Sequence, residues 1–269
     1  MRTIAFYNLK GGVGKTTSTV NVAHIMATVH NKKVLVIDLD PQANTSKFFG
    51  FIKTDDAKNY DVGIDNLLKG DADIHEGIQK TAWTGLDIIP SCLRLATVDR
   101  QLLTETTMPQ QFILSSLLAN VRDDYDYCII DCSPALTISN TNALYACNDV
   151  IVPMLGDEYA KDGLTSILGE IKAIKKYNIN LDFAFCFYTQ WTNTLSSQNA
   201  YERVREMVGN KLLDIKIRRT TVVSETSQVI KDGAKTKQVP RVPLLEWAPQ
   251  ATATKDYLQL TKYIVEHYR

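Results

Sequence analysis

The sequence predicts an α/β protein in which a doubly wound, mostly parallel β-sheet is flanked by helices on both faces. Three short apolar runs, at residues 3–7, 33–38 and 127–131, have the composition of strands that are buried on both sides. The stretches between them can hold helices, and strands joined through helices run parallel by right-handed crossovers. Because no linker, internal repeat or low-complexity segment interrupts the 269 residues, we expect one domain over residues 1–269.

The first run leads into a glycine-rich segment and then into a helical pattern of apolar residues. The segment comprises Lys10, Gly11, Gly12, Val13, Gly14, Lys15, Thr16 and Thr17. A strand, a glycine-rich turn and a helix N-terminus in this order direct backbone N–H groups and the positive end of the helix dipole at one point, which suits a polyphosphate. Lys15 can reach the outer phosphates, and the Thr16 hydroxyl is placed to bind Mg²⁺.

This segment departs from the common phosphate-binding pattern G-x-x-x-x-G-K-[ST] at its first position. Leu9 stands where that pattern has its first glycine, and a second lysine, Lys10, follows. One triphosphate does not need two lysines from the same loop. We therefore expect Lys10 to reach a nucleotide that is held by a second subunit.

The second run ends in two carboxylates, in the order Asp38-Leu39-Asp40-Pro41-Gln42. Ligands of parallel sheets bind at the carboxyl ends of the strands, so Asp38 and Asp40 are expected to face the glycine-rich segment. Asp40 can also be the N-cap of a short helix at residues 41–49, and the two roles are compatible.

The third run ends in Asp131, and Ser133-Pro134 follows as a turn signal. A carboxylate at a strand tip beside a phosphate-binding loop can hold Mg²⁺ through water while Thr16 holds it directly. A polyphosphate with bound magnesium is therefore the predicted ligand.

These patterns carry a family resemblance. K-G-G-V-G-K-T-T resembles the deviant Walker A signature of the ParA/MinD superfamily of dimeric P-loop ATPases, and D-L-D-P-Q resembles its second acidic motif. The resemblance extends over nearly the whole chain and implies a P-loop NTPase fold with ATP and Mg²⁺ as cofactors. It also implies slow hydrolysis in which Asp40 positions or activates the attacking water, while Lys15 and the partner's Lys10 contact the phosphates.

The partition branch of this superfamily is the best match, and it implies three partners. An ATP-bound homodimer is expected to bind DNA non-specifically, and a ParB-like centromere-binding protein is expected to stimulate hydrolysis and so release the DNA. The expected location is cytoplasmic and nucleoid-associated. The alternatives are a MinD-like membrane-associated positioning ATPase and an ATPase that positions another cargo.

The charge distribution bears on DNA binding. The chain has 30 basic and 30 acidic residues, yet residues 211–241 hold eight basic residues and only three acidic ones. A local basic surface suits sequence-independent DNA binding. The candidate DNA-binding residues are Arg218, Arg219, Lys231, Lys235 and Lys237. Relatives often have DNA-binding arginines where this chain has Asn193 and Val222.

The remaining elements complete the predicted sheet. Residues 149–153 and 181–187 are predicted strands, and residues 159–177 are a predicted helix between them. The segment 188–194 leaves the last strand at the ligand edge. Its aromatic residues Tyr188 and Trp191 fit an adenine wall or dimer contact and equally fit the core.

Two further segments carry no predicted chemistry. Residues 50–90 resemble the superfamily's variable segment. Residues 250–269 are predicted to form a C-terminal helix whose mixed polar face favours packing on the sheet over packing on lipid. The five cysteines are scattered without a C-x-x-C pair, which favours buried free thiols over a metal site or disulfides and argues against an iron–sulfur site.

Overall fold

The structure is a computed structural model that describes residues 1–54, 57–105, 109–225, 231–232, 235–236 and 241–269. Two single-turn 3₁₀ segments, Gln110–Phe112 and Gly209–Lys211, accompany the helices and strands. In chain order the described elements are β1 (Arg2–Phe6), α1 (Lys15–Thr28), β2 (Val34–Leu39), α2 (Asn44–Phe48), α3 (Ile64–Lys69), α4 (Ile74–Gly77), β3 (Gln79–Lys80), β4 (Leu86–Ile89), α5 (Leu95–Thr104), α6 (Ile113–Ala119), β5 (Tyr127–Cys132), α7 (Ile138–Ala146), β6 (Asp149–Met154), α8 (Ala160–Ile174), β7 (Asp182–Tyr188), α9 (Leu195–Val208), α10 (Val222–Glu225), β8 (Lys231–Asp232), β9 (Lys235–Thr236), α11 (Leu244–Trp247) and α12 (Thr252–His267).

Seven strands form one sheet in the order β3-β4-β2-β5-β1-β6-β7. The last six of these run parallel, and only the two-residue edge strand β3 is antiparallel to its neighbour β4. Strands β8 and β9 form a separate antiparallel pair. The predicted doubly wound, mostly parallel sheet is confirmed.

Helices cover both faces of the sheet, and alternate residues of each strand point to opposite faces. Along β2, Leu35 and Ile37 pack into one hydrophobic cluster, whereas Val34 and Val36 pack into the other. All four side chains are fully buried. Burial on both faces explains why the strands appear in the sequence as continuous apolar runs rather than as alternating ones.

The register of the central strands brings the predicted acidic residues to one edge. Asp131 of β5 is paired with Phe6 of β1 on one side and with Asp38 of β2 on the other. Because the three strands are parallel, their carboxyl ends lie together, and the loop after β1 leaves the sheet beside both carboxylates. A ligand on that loop meets residues of three strands.

The C-terminal helix α12 packs on α1, the helix that follows the glycine-rich loop. Its buried face contains Ala253, Tyr257, Leu260 and Ile264, which join the cluster that α1 also enters. The Tyr257 hydroxyl lies 3.1 Å from the Ser18 hydroxyl of α1. The apolar face of α12 is therefore covered by protein. In the part of the chain that is described, no helix combines the length and apolarity needed to cross a membrane.

Several elements differ from the sequence-based expectation. Helix α2 begins at Asn44, three residues later than predicted, because residues 41–43 form a turn in which the Asp40 carbonyl accepts from the Ala43 N–H. Helices α5, α6, α7 and α9 were not predicted. Two of them carried a recognisable start signal, since Thr137 and Thr194 cap α7 and α9 through their hydroxyls. The five cysteines are buried free thiols, as predicted.

Candidate active site

The loop between β1 and α1 is shaped by two left-handed glycines. Gly12 and Gly14 have φ values of 75° and 84°, which residues with a Cβ rarely adopt. A Cβ on Gly14 would also come within 3.4 Å of the Thr189 methyl carbon. Glycine at position 14 is thus required both by backbone conformation and by the close approach of the loop after β7. Helix α1 begins directly after it, without an acidic residue in its first turn.

Two consecutive residues after β7 hold the peptide groups of this loop. The Thr189 hydroxyl donates to the Val13 carbonyl at 2.7 Å, and the Gln190 side-chain amide donates to the Gly12 carbonyl at 2.8 Å. In a trans peptide the C=O and the next N–H point in opposite directions. With these two carbonyls turned toward the β7 loop, the N–H groups of Val13 and Gly14 point away from it, as an anion cradle requires.

Lys15 lies inside the loop rather than in solvent. It is 7% exposed, and its ammonium donates to the carbonyl oxygens of Asn8 and Lys10 at 2.8 and 3.1 Å. Burial lowers the pKa of this ammonium, and the nearby Asp131 carboxylate opposes that shift. The Asn8 amide completes the loop by donating to the Pro153 carbonyl and accepting from the Lys10 N–H. Lys15 is held at the position where a phosphate-binding lysine is needed.

Asp131 is fully buried and is bound by two threonines. The hydroxyls of Thr16 and Thr45 both donate to its Oδ2, at 2.7 and 2.6 Å. Its other oxygen, Oδ1, is buried, and no group among the described residues bonds to it. Burial raises the pKa of Asp131, while the two hydroxyls oppose the rise. A buried carboxylate oxygen without a partner, next to a threonine hydroxyl, fits a hydrated Mg²⁺.

Asp38 lies beside Asp131 on the adjacent strand and is also fully buried. Its Oδ2 accepts from the backbone N–H and the hydroxyl of Ser46, and its Oδ1 accepts from the Asp40 N–H. Burial raises the pKa of Asp38, and the Asp131 charge raises it further. Both acids at this edge are stabilised as anions by hydroxyl donors and would be stabilised further by a cation.

Asp40 lies one residue beyond the end of β2 and is only half-buried. Its Oδ1 accepts from the Gln42 N–H at 2.8 Å. This contact closes the turn before α2 and does not cap the helix, because the N-cap of α2 is Ala43 and no side chain caps it. The alternative prediction that Asp40 is a helix N-cap is therefore wrong. The carboxylate is anchored by its backbone and remains open to solvent, unlike Asp38 and Asp131.

Lys10 is exposed, and its ammonium forms an ion pair with Asp157 in the loop after β6. The same ammonium lies 6.0 Å from the centre of the Tyr159 ring. Lys10 therefore lies at the same edge as the phosphate loop but binds residues of its own subunit. It can reach another subunit only by exchanging this contact.

A cavity of about 600 Å³ opens beside the phosphate loop at Gly14. Thr17 and Tyr257 border it on the helical side, and the loop after β7 closes it at Thr189 and Gln190. Residues 217–221 form the opposite wall. The cavity adjoins the anion cradle, so one ligand could have its phosphates on the loop and its nucleoside in the cavity.

Comparisons with known proteins agree with this arrangement. A family model described as an AAA domain matches residues 1–184. The chain is 30% identical to the chromosome-partitioning ATPase Soj of Treponema pallidum over 98% of this chain and 97% of that protein. It is 32% identical to the chromosome partitioning protein ParA of Caulobacter vibrioides over 100% of this chain and 96% of that protein. The chain belongs to the ParA/Soj family of P-loop ATPases. Among solved structures, apo McdA of Cyanothece shares the fold with a TM-score of 0.82 at 19% identity, covering 98% of this chain and 99% of that one.

The structure places most of the predicted site residues of this ParA/Soj family member at a single edge of the sheet. Lys10–Thr17, Asp40 and Asp131 lie together there. Sequence reasoning missed the residues that hold them in place, namely Asn8, Thr45, Ser46, Thr189 and Gln190. Asn8, Thr189 and Gln190 lie within two residues of the end of β1 or β7, and Thr45 and Ser46 lie within seven residues of the end of β2. A polar residue soon after a buried strand was the signal that could have revealed them.

The predicted DNA-binding residues differ from one another in their surroundings. Arg218 is bound by the Asp256 carboxylate through its backbone N–H and its guanidinium, so its charge is compensated within the chain. Arg219 is exposed and lines the cavity. Lys231 and Lys235 lie on the paired strands β8 and β9, and Lys237 lies outside the described residues.

Tyr188 and Trp191 do not line the cavity. Tyr188 is fully buried in the core, and Trp191 packs against it with ring centres 5.3 Å apart. The Lys216 ammonium lies 4.2 Å from the centre of the Trp191 ring. The core interpretation of these aromatic residues is therefore confirmed for Tyr188, while Trp191 bridges the core and a surface cation.

Proposed function

We propose that this protein is a DNA-partition ATPase that works as an ATP-bound dimer. The dimer binds DNA non-specifically, and a ParB-like centromere-binding partner stimulates hydrolysis and so releases the DNA. Family membership supports ATP hydrolysis, and relatives named for chromosome partitioning support the process. One structural observation supports the dimer, namely a set of exposed apolar side chains at the edge of the sheet that carries the phosphate loop.

These side chains follow four successive strands of the sheet at their carboxyl ends. Leu93, Leu136, Tyr159 and Leu195 come after β4, β5, β6 and β7 and are 71, 74, 63 and 73% exposed. All four loops leave the sheet at the edge that carries the phosphate loop. Large apolar side chains gathered on one surface indicate a protein interface. A second subunit placed there would cover the nucleotide and bring its own Lys10 to it.

The nucleotide and the metal would be bound by residues of the described site. The phosphates would lie on the loop Gly11–Thr17, where they would contact the Lys15 ammonium, and the nucleoside would lie in the neighbouring cavity. Mg²⁺ would be held by Thr16 directly and by Asp131 through water, and it would neutralise charge on the phosphates. Asp40 would orient the attacking water. The protein would form no covalent bond to the phosphate in this reaction. The rate of hydrolysis would depend on the orientation of the attacking water and on the cations around the phosphates.

Sedimentation and DNA retardation test this proposal together. With Asp40→Ala blocking turnover, saturating ATP and magnesium should convert the protein to a dimer, whereas ADP should leave it monomeric. DNA retardation should follow the dimer. Leu136→Ser should weaken dimerisation at least about tenfold, since it places a polar group in the buried interface. Leu103→Ser is the matched control, because Leu103 is 66% exposed near the end of α5 that points away from this edge.

Two results would contradict the proposal. One is a protein that stays monomeric in saturating ATP and magnesium. The other is a dimer that floats with anionic vesicles and does not retard DNA, which would assign the protein to the MinD-like alternative.

A further inference from the structure

Helix α2 is the short element that follows the turn carrying Asp40. It comprises the five residues Asn44–Phe48, and no side chain among the described residues caps its start. The turn before it contains Ala43 with a left-handed φ of 54°, which a residue with a Cβ adopts only at an energetic cost. A single helical turn next to such a residue has little stability of its own. The position of this segment therefore depends on contacts with the rest of the protein.

The contacts that anchor α2 differ in which elements they join. At the end of the helix, the Phe48 side chain is buried in a hydrophobic cluster of the core. Nearer its start, Ser46 donates through its N–H and its hydroxyl to Asp38 Oδ2, at 2.8 and 2.7 Å. Asp38 lies on β2, the strand that leads into the turn of Asp40. The Ser46 contact therefore closes the turn back on its own strand.

Thr45 ties α2 to a different strand. This residue is fully buried, and its hydroxyl donates to Oδ2 of Asp131 on β5 at 2.6 Å. The same oxygen accepts from the Thr16 hydroxyl at 2.7 Å. One carboxylate oxygen thus joins the helix of the phosphate loop to the helix that follows Asp40. The Thr45 hydroxyl sets the position of the Asp40 turn relative to the carboxylate that is proposed to hold the metal ion.

We propose that Thr45 is a positioning residue for hydrolysis. Through its bond to Asp131, it holds the turn of Asp40 at the place from which Asp40 orients the attacking water. The inference rests on the proposed function, because it takes the role of Asp40 from there. A group that is displaced by about 1 Å from its reactant can cost about 100-fold in rate, so the loss of one hydroxyl contact is sufficient to matter.

The first test uses the protein without nucleotide or metal. Thr45→Val keeps the shape of the side chain and removes the hydroxyl donor. The N–H groups of Ala43, Ser46 and Lys47 are hydrogen-bonded in this segment. In Thr45→Val they should exchange with solvent deuterium at least about tenfold faster than in wild type, because the start of α2 opens more often. Thr45→Ser retains the hydroxyl and should exchange as wild type does.

The second test measures single-turnover hydrolysis and equilibrium ATP binding at saturating magnesium. In Thr45→Val the rate should fall about 10- to 100-fold, while the ATP affinity changes by less than about threefold because the phosphate loop is intact. Thr45→Ser should recover the rate to within about threefold of wild type. In an Asp40→Ala background, Thr45→Val should cause no further loss, since a residue that acts through Asp40 has nothing left to position there.

Thr254→Val is the matched control. Thr254 on α12 is also fully buried, and its hydroxyl donates to the Ala248 carbonyl at 2.7 Å. Its replacement removes a hydrogen bond of the same kind, so the free energy of unfolding should fall by a similar amount as in Thr45→Val. The rate of hydrolysis should stay as in wild type. If Thr45→Val does not fold, Thr45→Ala removes the same hydroxyl without overpacking, and the same results are expected of it.

Four outcomes would overturn the inference. These are unchanged exchange in Thr45→Val, an unchanged rate, a loss of rate that disappears as magnesium is raised, and an equal loss in the Asp40→Ala background. The third would restrict Thr45 to an effect on metal affinity. Full turnover in Asp40→Ala alone would instead contradict the role of Asp40 in the proposed function, so the two failures are distinguishable.

Discussion

Asp40 and Asp131 lie at the tips of neighbouring strands but differ in burial and in hydrogen bonding. Asp131 is fully buried beneath two threonine hydroxyls, whereas Asp40 is half-buried and its side chain accepts a hydrogen bond from the Gln42 N–H. A buried carboxylate next to a threonine suits a metal ion and its water shell. A partly exposed carboxylate suits a water molecule that must enter and react. We therefore propose different roles for the two acids at one edge.

Asp40→Ala should bind ATP and dimerise but should lower kcat at least about 100-fold, because the attacking water loses the group that orients it. Single-turnover hydrolysis with equilibrium ATP binding separates these two effects. Asp123→Ala is the control, since Asp123 is exposed and lies outside the site. Unchanged turnover in Asp40→Ala would remove Asp40 from the mechanism.

The ion pair between Lys10 and Asp157 competes with any contact that Lys10 makes to a second subunit. The ion pair with Asp157 has to be exchanged before Lys10 reaches another nucleotide. Both side chains are substantially exposed, so the pair is worth no more than about 1 kcal/mol.

Asp157→Asn should therefore lower the ATP concentration at half-maximal dimerisation, by up to about fivefold. Sedimentation across an ATP titration measures this shift. Asp162→Asn, an exposed acid on the following helix, should leave the midpoint unchanged. A midpoint that stays the same or rises in Asp157→Asn would show that the intrasubunit pair does not compete with dimerisation.

At the scale of elements, helix α1 links the phosphate loop to α11 and to the turn before β4. His24 on α1 is 1% exposed, and its Nε2 lies 2.9 Å from Glu246 of α11. The Trp83 indole also donates to Glu246 and packs edge-on against the His24 ring. Burial lowers the pKa of His24, and the hydrogen bond to Glu246 only partly opposes this shift. The contact holds α1, α11 and the turn before β4 together.

The lowered pKa predicts how stability depends on pH. Below about pH 6.5 the unfolded chain takes up a proton at His24 more readily than the folded one. The free energy of unfolding should therefore decrease as the pH is lowered. One group contributes at most about 1.4 kcal/mol per pH unit. Denaturant unfolding of wild type and His24→Gln between pH 7.5 and 5 should show a smaller pH dependence in the variant.

His75→Gln is the control, because His75 is exposed. An equal pH dependence in wild type and His24→Gln would assign the acid sensitivity to other groups.

The elements also show what local patterns reveal. The parallel strands of the sheet were predicted because a strand that is buried on both faces has a continuous apolar sequence. Such a run can be recognised without knowing which strands lie beside it. Helix α5 was missed although Leu95, Val98 and Leu102 recur at helical spacing, and no capping side chain marks its start. Helix α9 was missed although Thr194 caps it, since the cap follows a segment that was interpreted as irregular.

At the scale of the whole molecule, the basic segment 211–241 is partly compensated within the chain. Arg218 is bound to Asp256, and Lys211 lies 3.3 Å from Asp182. Charges that are paired internally contribute less to a DNA-binding surface. The proposed contribution of this segment to DNA binding therefore rests on Arg219 and on the lysines near position 235.

Replacing Lys231, Lys235 and Lys237 with glutamate should weaken DNA binding in ATP and flatten its dependence on salt. Each phosphate contact that is lost lowers the slope of log affinity against log salt by about 0.9. A retardation titration at four salt concentrations measures the slope. Replacing Lys172, Lys175 and Lys176, which are exposed at the C-terminal end of α8 and in the turn that follows it, makes the same charge change and should leave the slope unchanged. If only the second triple variant changed the slope, the DNA-binding surface would lie on α8.

The chemistry of the phosphate loop and the class of fold were determined by the sequence alone, because both arise from neighbouring residues: a glycine-rich turn between a strand and a helix, and apolar runs that end in acids. The tertiary structure decided which distant residues serve that loop. Thr189 and Gln190 bind carbonyls of residues 13 and 12, and Asp157 binds Lys10, across more than 140 positions of chain. Such contacts depend on the order and register of the strands, which no local pattern specifies.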